Sequence, residues 1–454
     1  MQPMDTYTAL YRHLLWPLWE AVRGRPTRAR LAYLERSQFR PPEELEALQI
    51  GKLRRLLVHA ATHSPFYRRR FRAAGFDPAR LRSLEDLERL PLLSREEAQR
   101  SQAEMIVPGS PLLEKSTSGT TGQPFRFRYS PDSEVWRQAI KLRAYGWAGA
   151  VPGAKTVHFW GPAAVPPNRT KALKIALDRA LRRELYLDCA RQGEADLQAA
   201  VDVLRRLRPT CLIGFTQATV QLGRFVLRHG LRSWPPMRVI CGAERLFPQD
   251  RPVLEAAFGA PGSVFETYGC REFMLIASEC EAHQGLHLSM ENLVVEIVDE
   301  RGRRLPDGEV GQVVVTDLHN LAMPLIRYVT SDLAAAMPAS ARCACGRGLR
   351  RLSHLEGRQQ DLLRGRDGRG IPGIVFNSVI AGLGGKVDQF QAVQRRDGRI
   401  DLFLVPGPDY DERVVEGLRH RLAPYLGELP LHVHVVHTIP PLPSGKRRHV
   451  VIER

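Results

Sequence analysis

The stretch STSGTTGQP, residues 116–124, combines two glycines with five hydroxyl side chains. Glycine has no Cβ, so its backbone can approach an anion closely, and consecutive backbone N–H groups with neighbouring hydroxyls form an anion-binding nest. The stretch has neither the Gly-Lys-Ser/Thr ending nor the glycine spacing of the common nucleotide-binding loops. An ordinary flexible loop is the alternative, but the combination favours phosphate binding. The candidate residues are Ser116, Thr117, Ser118, Gly119, Thr120, Thr121 and Gly122.

Cysteines and histidines form a second group with chemical potential. Cys280, His283 and His287 lie close together, and Cys343 and Cys345 follow in a Cys-Ala-Cys-Gly-Arg segment. Three thiolates and one imidazole complete a tetrahedral zinc site. Seven cysteines in 454 residues do not indicate a disulfide framework, so metal binding is favoured over disulfides. The alternative is that the cysteines are small core residues and the histidine belongs to a strand.

The composition is that of a globular protein with an excess of positive charge. Hydrophobic residues make up 43% and charged residues 25% of the chain, which is typical of globular domains. Neither a membrane-spanning apolar run nor a signal peptide is evident, so we expect a cytoplasmic protein. The net charge of +17 favours anionic partners such as nucleotides, coenzyme A, nucleic acid or acidic lipid. The basic residues are scattered, however, and a solvated surface explains them equally.

The N-terminal segment has two interpretations. Apolar residues within 14–19 precede four arginines within 23–30, a pattern of helices that make contact with a membrane surface. Alternatively, the segment packs against its own domain. Residues 1–100 as a whole predict helices, because small and apolar residues recur at helical spacing.

Short apolar strands and helical stretches alternate between residues 115 and 330, which predicts sheets covered by helices. The predicted strands are 156–160, 210–215, 238–241, 263–268, 293–298 and 311–317, and the predicted helices between them are 194–207 and 218–229. A small α/β unit follows a glycine-rich charged stretch, with strands 402–405 and 431–436 around a helix at 412–422. We therefore predict an α/β fold with a large N-terminal domain of helix-covered β-sheets, residues 1–356. Residues 357–454 form a smaller mobile α/β C-terminal domain.

Several segments resemble motifs of the adenylate-forming enzymes, the acyl-CoA synthetase superfamily, and within it the phenylacetate–CoA ligase-like branch. In that family a loop similar to residues 116–124 holds the phosphates of ATP. The segment CGAERL, 241–246, resembles the adenine-binding segment, and ETYGCREF, 266–273, resembles the Tyr-Gly-x-x-Glu motif. The resemblance implies nucleotide contacts by Ala243, Glu244, Arg245, Tyr268 and Gly269. It also implies that Glu272 holds Mg²⁺ or the phosphates, a role for which a carboxylate supplies hard oxygen ligands.

Three further motifs follow in the family's order along the rest of the chain. Residues 308–334 resemble the segment whose acid, here Asp332, accepts hydrogen bonds from both ribose hydroxyls. LEGRQQDLL, 355–363, resembles the hinge between the domains, with Arg358 near the ribose or the phosphates. IPPLPSGKRRHV, 439–450, carries Lys446, which by resemblance bridges the substrate carboxylate and the α-phosphate and neutralises developing charge. A solvated basic tail is the alternative for Lys446.

The resemblance also selects a metal site and is imperfect at four positions. Members of this branch have a similar Cys, Gly-x-His and Cys-x-Cys-Gly-Arg pattern. This implies a structural zinc bound by Cys280, His287, Cys343 and Cys345, with His283 in reserve. The sequence departs from the family at Gln123, Arg271, Ser331 and Gln360. In the family Lys is usual at position 123, Ser or Thr at 271, Gly at 331 and Asp at 360.

The resemblance implies an ATP- and Mg²⁺-dependent enzyme that converts a carboxylic acid, with aromatic acids the first to try, into an acyl-adenylate. The acyl group then passes to the thiol of coenzyme A, or alternatively to a carrier-protein thiol or an amine. The alternative function, of a different class, is that of a basic nucleic-acid- or membrane-binding protein with a degenerate ligase fold. The presence of Glu272, Asp332 and Lys446 favours the enzyme, so we expect no specific nucleic-acid partner.

Overall fold

The structure is a computed structural model that describes most of the chain. The described residues are 5–116, 125–161, 169–191, 193–358, 362–365, 370–372, 374–381, 383, 386–441 and 447–453. Residues 117–122 of the predicted phosphate loop, Gln123, Gln360 and Lys446 lie outside these ranges, and Arg358 is described by its backbone alone.

Fourteen α-helices lie in the described residues, and a π-helical turn, Tyr11–Leu15, joins the first two. The helices are α1 (Thr6–Leu10), α2 (Trp16–Arg23), α3 (Thr27–Ser37), α4 (Pro42–His63), α5 (Pro65–Ala73), α6 (Arg95–Arg100), α7 (Gln102–Met105), α8 (Pro131–Trp147), α9 (Arg169–Arg182), α10 (Glu194–Leu207), α11 (Thr216–Arg228), α12 (Asp250–Phe258), α13 (Ile374–Ala381) and α14 (Arg413–Leu426).

Nineteen strands accompany them in the described part of the chain. They are β1 (Leu113–Ser116), β2 (Arg126–Tyr129), β3 (Thr156–Trp160), β4 (Glu184–Asp188), β5 (Cys211–Phe215), β6 (Arg238–Gly242), β7 (Val264–Tyr268), β8 (Ala277–Glu279), β9 (Leu286–Leu288), β10 (Leu293–Val298), β11 (Val310–Asp317), β12 (Tyr328–Ala336), β13 (Arg351–Arg358), β14 (Leu362–Arg364), β15 (Gly370–Pro372), β16 (Val387–Gln394), β17 (Ile400–Pro406), β18 (Leu431–Val435) and β19 (Val450–Ile452).

An eleven-stranded sheet in the order β10-β11-β12-β13-β9-β8-β7-β6-β5-β3-β4 is the main scaffold. Strands β4, β3, β5, β6 and β7 run parallel. Every residue of β5 is buried, as expected of parallel strands that helices cover on both faces. From β7 to β10 the remaining pairs are antiparallel. Strand β7 therefore joins a parallel half to an antiparallel half.

The N-terminal helices cover the antiparallel half of this sheet. Residues of α4 and α5, including Leu53, Leu57 and Tyr67, share one core with Val313 and Val315 of β11. Helix α5 begins where Ser64 accepts a hydrogen bond from the Tyr67 N–H at 3.5 Å, a common N-terminal cap. Among the described helices, none is long and apolar enough to cross a membrane.

The C-terminal residues form a separate small sheet in the order β18-β17-β16-β19. Its core contains Leu402 and Leu404 of β17 together with Leu418 and Leu422 of α14. The last strand of the main sheet, β13, continues to Arg358.

The predicted fold class is confirmed. Strands β3 and β10 and helix α10 have the predicted bounds, and the other predicted elements are displaced by at most four residues at either end.

Candidate active site

The predicted nucleotide-binding residues lie beside the carboxyl ends of parallel strands. Ala243, Glu244 and Arg245 follow β6, and Tyr268 is the last residue of β7. Asp332 lies in β12, in the antiparallel half of the same sheet. Ligands of α/β proteins bind outside the carboxyl ends of the strands. The structure therefore brings these predicted residues to the edge where a ligand would be bound.

Tyr268 and Asp332 are in direct contact. The Tyr268 hydroxyl donates a hydrogen bond to Asp332 Oδ2 at 2.9 Å and lies 3.3 Å from Thr330 Oγ1. Burial, and the negative charge of Asp332 beside it, raise the pKa of Tyr268 well above its ordinary value. The phenol is consequently a neutral donor, and it fixes one carboxylate oxygen of Asp332. The backbone of Arg358 lies opposite Asp332 in the β12–β13 register.

Two positions beside this pair restrict which residue types fit. Ser331 has φ +67°, the left-handed conformation that glycine adopts most readily. This explains why glycine is usual there in the family that the sequence resembles. At Gly269 a Cβ would lie 1.9 Å from the carbonyl oxygen of Met274. A glycine is therefore required at that position, directly after Tyr268.

The segment after β6 connects the main sheet with the C-terminal tail. Glu244 Oε2 accepts a hydrogen bond from the Gln217 N–H at 3.0 Å, at the start of α11. Glu244 Oε1 accepts one from the backbone N–H of Arg447 at 2.7 Å. Arg245 is 3.6 Å from Glu356, and burial lowers the pKa of its guanidinium. The residue directly after Lys446 thus lies against the predicted adenine-binding segment.

The predicted phosphate loop connects two paired strands. Strands β1 and β2 form an antiparallel ribbon in which Ser116 is opposite Arg126. Residues 117–125 join these two positions, and 117–124 lie outside the described residues. Near this end of the ribbon Lys115 pairs with Glu134 at 3.0 Å, and burial lowers the pKa of the lysine.

Glu272, the candidate for Mg²⁺, is buried and hydrogen-bonded. The Tyr328 hydroxyl donates to Glu272 Oε1 at 3.1 Å, and burial raises the pKa of Tyr328 above its usual value. Arg271, by contrast, is exposed. No role was predicted for Tyr328, which lies within the segment 308–334. Neither its contact with Glu272 nor the backbone contact made by Arg447 has a local signal in the sequence.

Aromatic side chains lie beside the nucleotide-binding segment. The rings of Trp160, at the end of β3, and Phe215, at the end of β5, are 4.5 Å apart and nearly perpendicular. A Cβ at Gly242 would lie 3.6 Å from the Trp160 ring. Trp160 is half-buried and Phe215 is buried, so these rings form an apolar wall beside the segment that follows β6.

The four predicted zinc ligands are brought together. One potential ligand atom from each of Cys280, His287, Cys343 and Cys345 lies within 4.8 Å of all the others. The sulfurs of Cys280 and Cys343 are 3.7 Å apart, and Cys345 Sγ is 3.3 Å from His287 Nε2. Zn–S bonds of about 2.3 Å in a tetrahedron place two sulfurs about 3.8 Å apart. The donor set and its spacing therefore fit zinc.

The outer shell of this cluster also fits a metal site. His287 Nδ1 lies 3.2 Å from the carbonyl oxygen of Leu349, so the proton on Nδ1 leaves Nε2 free as a ligand. His283 is directed elsewhere, with Nδ1 3.3 Å from Glu279 and Nε2 3.1 Å from the carbonyl oxygen of Gly262. The structure thus selects His287 over the reserve candidate His283.

Known proteins with similar sequences are phenylacetate–coenzyme A ligases. The ligase of Thermus thermophilus is 29% identical over 374 residues, 80% of each chain. That of Aromatoleum evansii is 27% identical over 450 residues, which cover 91% of this chain and 95% of the relative. No protein-family model matches the chain.

A solved structure has the same fold. The 2-hydroxyisobutyryl-CoA ligase, in the postadenylation state with 2-HIB-AMP, aligns over 92% of both chains with a TM-score of 0.75 at 23% identity. The fold is that of an acyl-CoA ligase that forms an acyl-adenylate. In sequence the chain is similar to phenylacetate–coenzyme A ligases over most of its length.

Proposed function

We propose that the chain activates a carboxylic acid with ATP and transfers the acyl group to the thiol of coenzyme A. In the first step a carboxylate oxygen of the acid bonds to the α-phosphorus of ATP, and pyrophosphate leaves. In the second step the thiol sulfur bonds to the acyl carbon, AMP leaves, and the thiol proton is released. The observation that carries this proposal is the Tyr268–Asp332 pair beside the carboxyl ends of the parallel strands.

Asp332 binds the ribose in this proposal. A carboxylate accepts hydrogen bonds through two oxygens, and Tyr268 orients it through Oδ2. Arg358 is directly across the strand pair and supplies positive charge to the ribose or phosphates. Adenine is held by Ala243, Glu244 and Arg245, beside Tyr268 and Gly269. Ser116 and residues 117–122 hold the phosphates at the end of the β1–β2 ribbon.

Lys446 stabilises the charge that develops when pyrophosphate leaves. The support for this role is the hydrogen bond from the backbone of its neighbour Arg447 to Glu244, at 2.7 Å, which ties the C-terminal tail to the nucleotide-binding segment. A preorganised ammonium beside the reacting phosphate lowers the barrier by electrostatic stabilisation. For the thiol step we propose that the part of residues 357–454 that follows β13 turns away as a lid, which removes Lys446 and admits coenzyme A.

Two metal ions belong to the proposal. Glu272, oriented by Tyr328, is the oxygen ligand for the Mg²⁺ that accompanies ATP, and this ion neutralises phosphate charge when bound. Cys280, His287, Cys343 and Cys345 hold a structural zinc, because four protein ligands leave no position open for a substrate. All seven cysteines fall within the described residues and none of them forms a disulfide, which fits a reaction in the reducing cytoplasm.

ATP–pyrophosphate exchange across a panel of carboxylic acids, beginning with phenylacetate, tests the first step. We expect acid-dependent exchange that falls by roughly 10²–10³ in Lys446→Ala, because a positioned charge stabiliser is lost. Arg419→Ala, at an exposed basic residue of α14, is the matched control and should retain the exchange. Exchange in Lys446→Ala at the parent rate would remove Lys446 from its role, and no exchange with any acid would refute the activity.

The acceptor is tested separately. Adding coenzyme A to the active acid should produce a thioester and AMP in equal amounts. Exchange that continues without thioester formation would instead indicate a carrier-protein thiol or an amine as the acceptor.

A further inference from the structure

Two helices at one edge of the molecule expose a group of large aliphatic side chains. We define the leucine face as Leu10, Leu14, Leu18, Val22, Leu173 and Leu177, whose exposed fractions range from 45% to 82%. They are six of the sixteen large apolar side chains that are exposed in the described part of the chain. Single exposed leucines are normal on a protein surface, but a contiguous group marks an interaction site.

The N-terminal members lie along one side of a continuous helical segment, α1 to α2. Leu10, Leu14, Leu18 and Val22 are spaced four residues apart, so successive side chains point in similar directions. The π-helical turn at Tyr11–Leu15 has more residues per turn than an α-helix, which offsets part of the drift of this row around the axis. Tyr11 and Trp16, in contrast, are buried in a core with α3 and α8.

Helix α9 lies beside this segment and continues the face. The Tyr7 hydroxyl donates to the carbonyl oxygen of Leu181 at 2.8 Å. Leu18 and Val22 of α2 line the same apolar groove as Leu181 and Asp178 of α9. Leu173 and Leu177, one turn apart on α9, are 72% and 58% exposed.

The face lies within a strongly basic part of the chain. Residues 6–30 and 169–182 contain ten Lys and Arg and two carboxylates. Both carboxylates have local partners: Glu20 accepts from the Arg28 N–H at 3.0 Å, and Asp178 pairs with Arg182 at 3.2 Å. The side chains of Arg23, Arg25, Arg28, Arg169 and Lys174 are exposed. Protruding aliphatic groups thus occur together with exposed cations, of which Arg23 and Arg28 lie over the rings of Trp19 and Trp16, 4.1 and 5.9 Å from the ring centroids.

We propose that the leucine face docks the protein on an anionic phospholipid bilayer. The leucines enter the boundary between headgroups and acyl chains, and the surrounding arginines and lysines meet lipid phosphates, as in interfacial amphipathic helices. The contact is peripheral, since no described helix can span a bilayer.

The positive charge around the leucine face argues against a second copy of this chain as its partner. A second copy of this chain would bring the same positive patch against itself, and like charges repel. An acidic protein would match the charge, but its binding would not require leucines that project from two adjacent helices. A bilayer matches both the basic surroundings and the projecting side chains.

Sedimentation of the full chain with vesicles tests the proposal. We expect binding to phosphatidylcholine vesicles that contain phosphatidylglycerol, weak binding to phosphatidylcholine alone, and weaker binding at high salt, because salt screens exposed charges. Absence of binding to the anionic vesicles, or equal binding to both compositions, would overturn the proposal.

Two sets of variants test the leucine face and the cations around it. Leu18→Glu with Leu177→Glu should lower vesicle binding by at least about tenfold, because each leucine loses its apolar burial and each new carboxylate is repelled by lipid phosphates. Leu227→Glu, at a leucine of α11 that is 43% exposed, should bind as the parent does. The double variant Arg23→Gln with Lys174→Gln should bind vesicles more weakly, and its binding should depend less on salt. The control double variant, Arg206→Gln with Arg419→Gln at exposed positions elsewhere, should bind as the parent does.

Melting temperatures establish that these surface variants are folded. If Leu18→Glu with Leu177→Glu binds anionic vesicles as well as the parent, the leucine face does not contact lipid. Sedimentation equilibrium distinguishes the other occupants: a dimer that the same variant disrupts, without vesicle binding, would assign the face to self-association and overturn the proposal. A complex with an acidic protein, without vesicle binding, would overturn it equally.

Discussion

At the scale of single residues, the proposed ribose site depends on how one carboxylate is held. Asp332 accepts a hydrogen bond from the Tyr268 hydroxyl at 2.9 Å, and it lies opposite Arg358 in the sheet. Ser331, directly before Asp332, adopts the left-handed backbone conformation, with φ +67°. Serine at this position therefore adopts the backbone conformation for which glycine is usual.

Substitution of Asp332 by Asn should weaken ATP use by roughly 10- to 100-fold in kcat/KM for ATP, because hydrogen bonds to a charged acceptor contribute about 1.5–3 kcal/mol. The amide keeps the shape but offers one acceptor oxygen in place of two. ATP–pyrophosphate exchange at varied ATP measures the effect. Asp409→Asn, at an exposed aspartate, is the control, and equal activity of the two variants would contradict the role of Asp332.

Glu266, two residues before Tyr268, should give the protein a pH-dependent stability. Burial raises the pKa of Glu266 from 4.5 to about 7. The folded chain therefore keeps a proton that the unfolded chain releases in this range, so this contribution to stability is complete below pH 4.5 and is lost as the pH rises through 7. Glu266→Gln keeps a carbonyl acceptor for the Leu246 N–H, now 3.0 Å from Glu266 Oε1, and cannot lose a proton.

Denaturant unfolding at several pH values measures this effect. Relative to the parent, Glu266→Gln should gain up to about 3 kcal/mol between about pH 5 and pH 8, from about 1.36 kcal/mol for each pKa unit. Glu300→Gln, at an exposed glutamate, should show no such trend. A constant difference between Glu266→Gln and the parent would mean that Glu266 titrates normally.

At the scale of elements, short strands position the metal-ligating residues. His287 is the middle residue of β9 and pairs with Arg351 of β13, while Cys343 and Cys345 lie in the segment between β12 and β13. A metal ion held there would link the β8–β9 hairpin to that segment. Folding and metal binding are coupled in such sites, since the unfolded chain holds no preformed site.

His287→Gln should lose zinc and melt at a lower temperature, whereas His283→Gln should retain zinc. Both residues lie in the same short segment, but only His287 is within the four-residue cluster among the described residues. Metal analysis of the purified proteins and their melting curves before and after chelation provide the measurement. The assignment of His287 as a zinc ligand would be contradicted if every preparation of the parent held less than one equivalent of zinc. Equal loss of zinc from His287→Gln and His283→Gln would contradict it as well.

At the scale of the whole molecule, the α/β class was predictable because two signals agree. Buried parallel strands are continuous apolar runs, as in β5 (CLIGF), and the amphipathic helices between them have a different period. The order of the strands in the sheet was not predictable. Nothing local in β7 or β13 indicates that they neighbour β6 and β9, since long-range pairing depends on the packing of the entire domain.

The candidate site shows the same division. Tyr268, Asp332 and the cysteine cluster were predicted because their residue types and motifs are visible in the sequence. Two hydrogen bonds were not predicted: the one from the Tyr328 hydroxyl to Glu272 and the one from the backbone N–H of Arg447 to Glu244. The first joins residues 56 positions apart and the second residues 203 positions apart, and every residue has the backbone group that Arg447 uses.

A crystal structure of the chain with ATP and Mg²⁺ is the decisive test of the proposed nucleotide site. We expect adenine beside Ala243 and Tyr268, both ribose hydroxyls within hydrogen-bond distance of Asp332, and the phosphates against residues 116–122. Nucleotide bound at any other place, or a ribose that Asp332 does not touch, would contradict it.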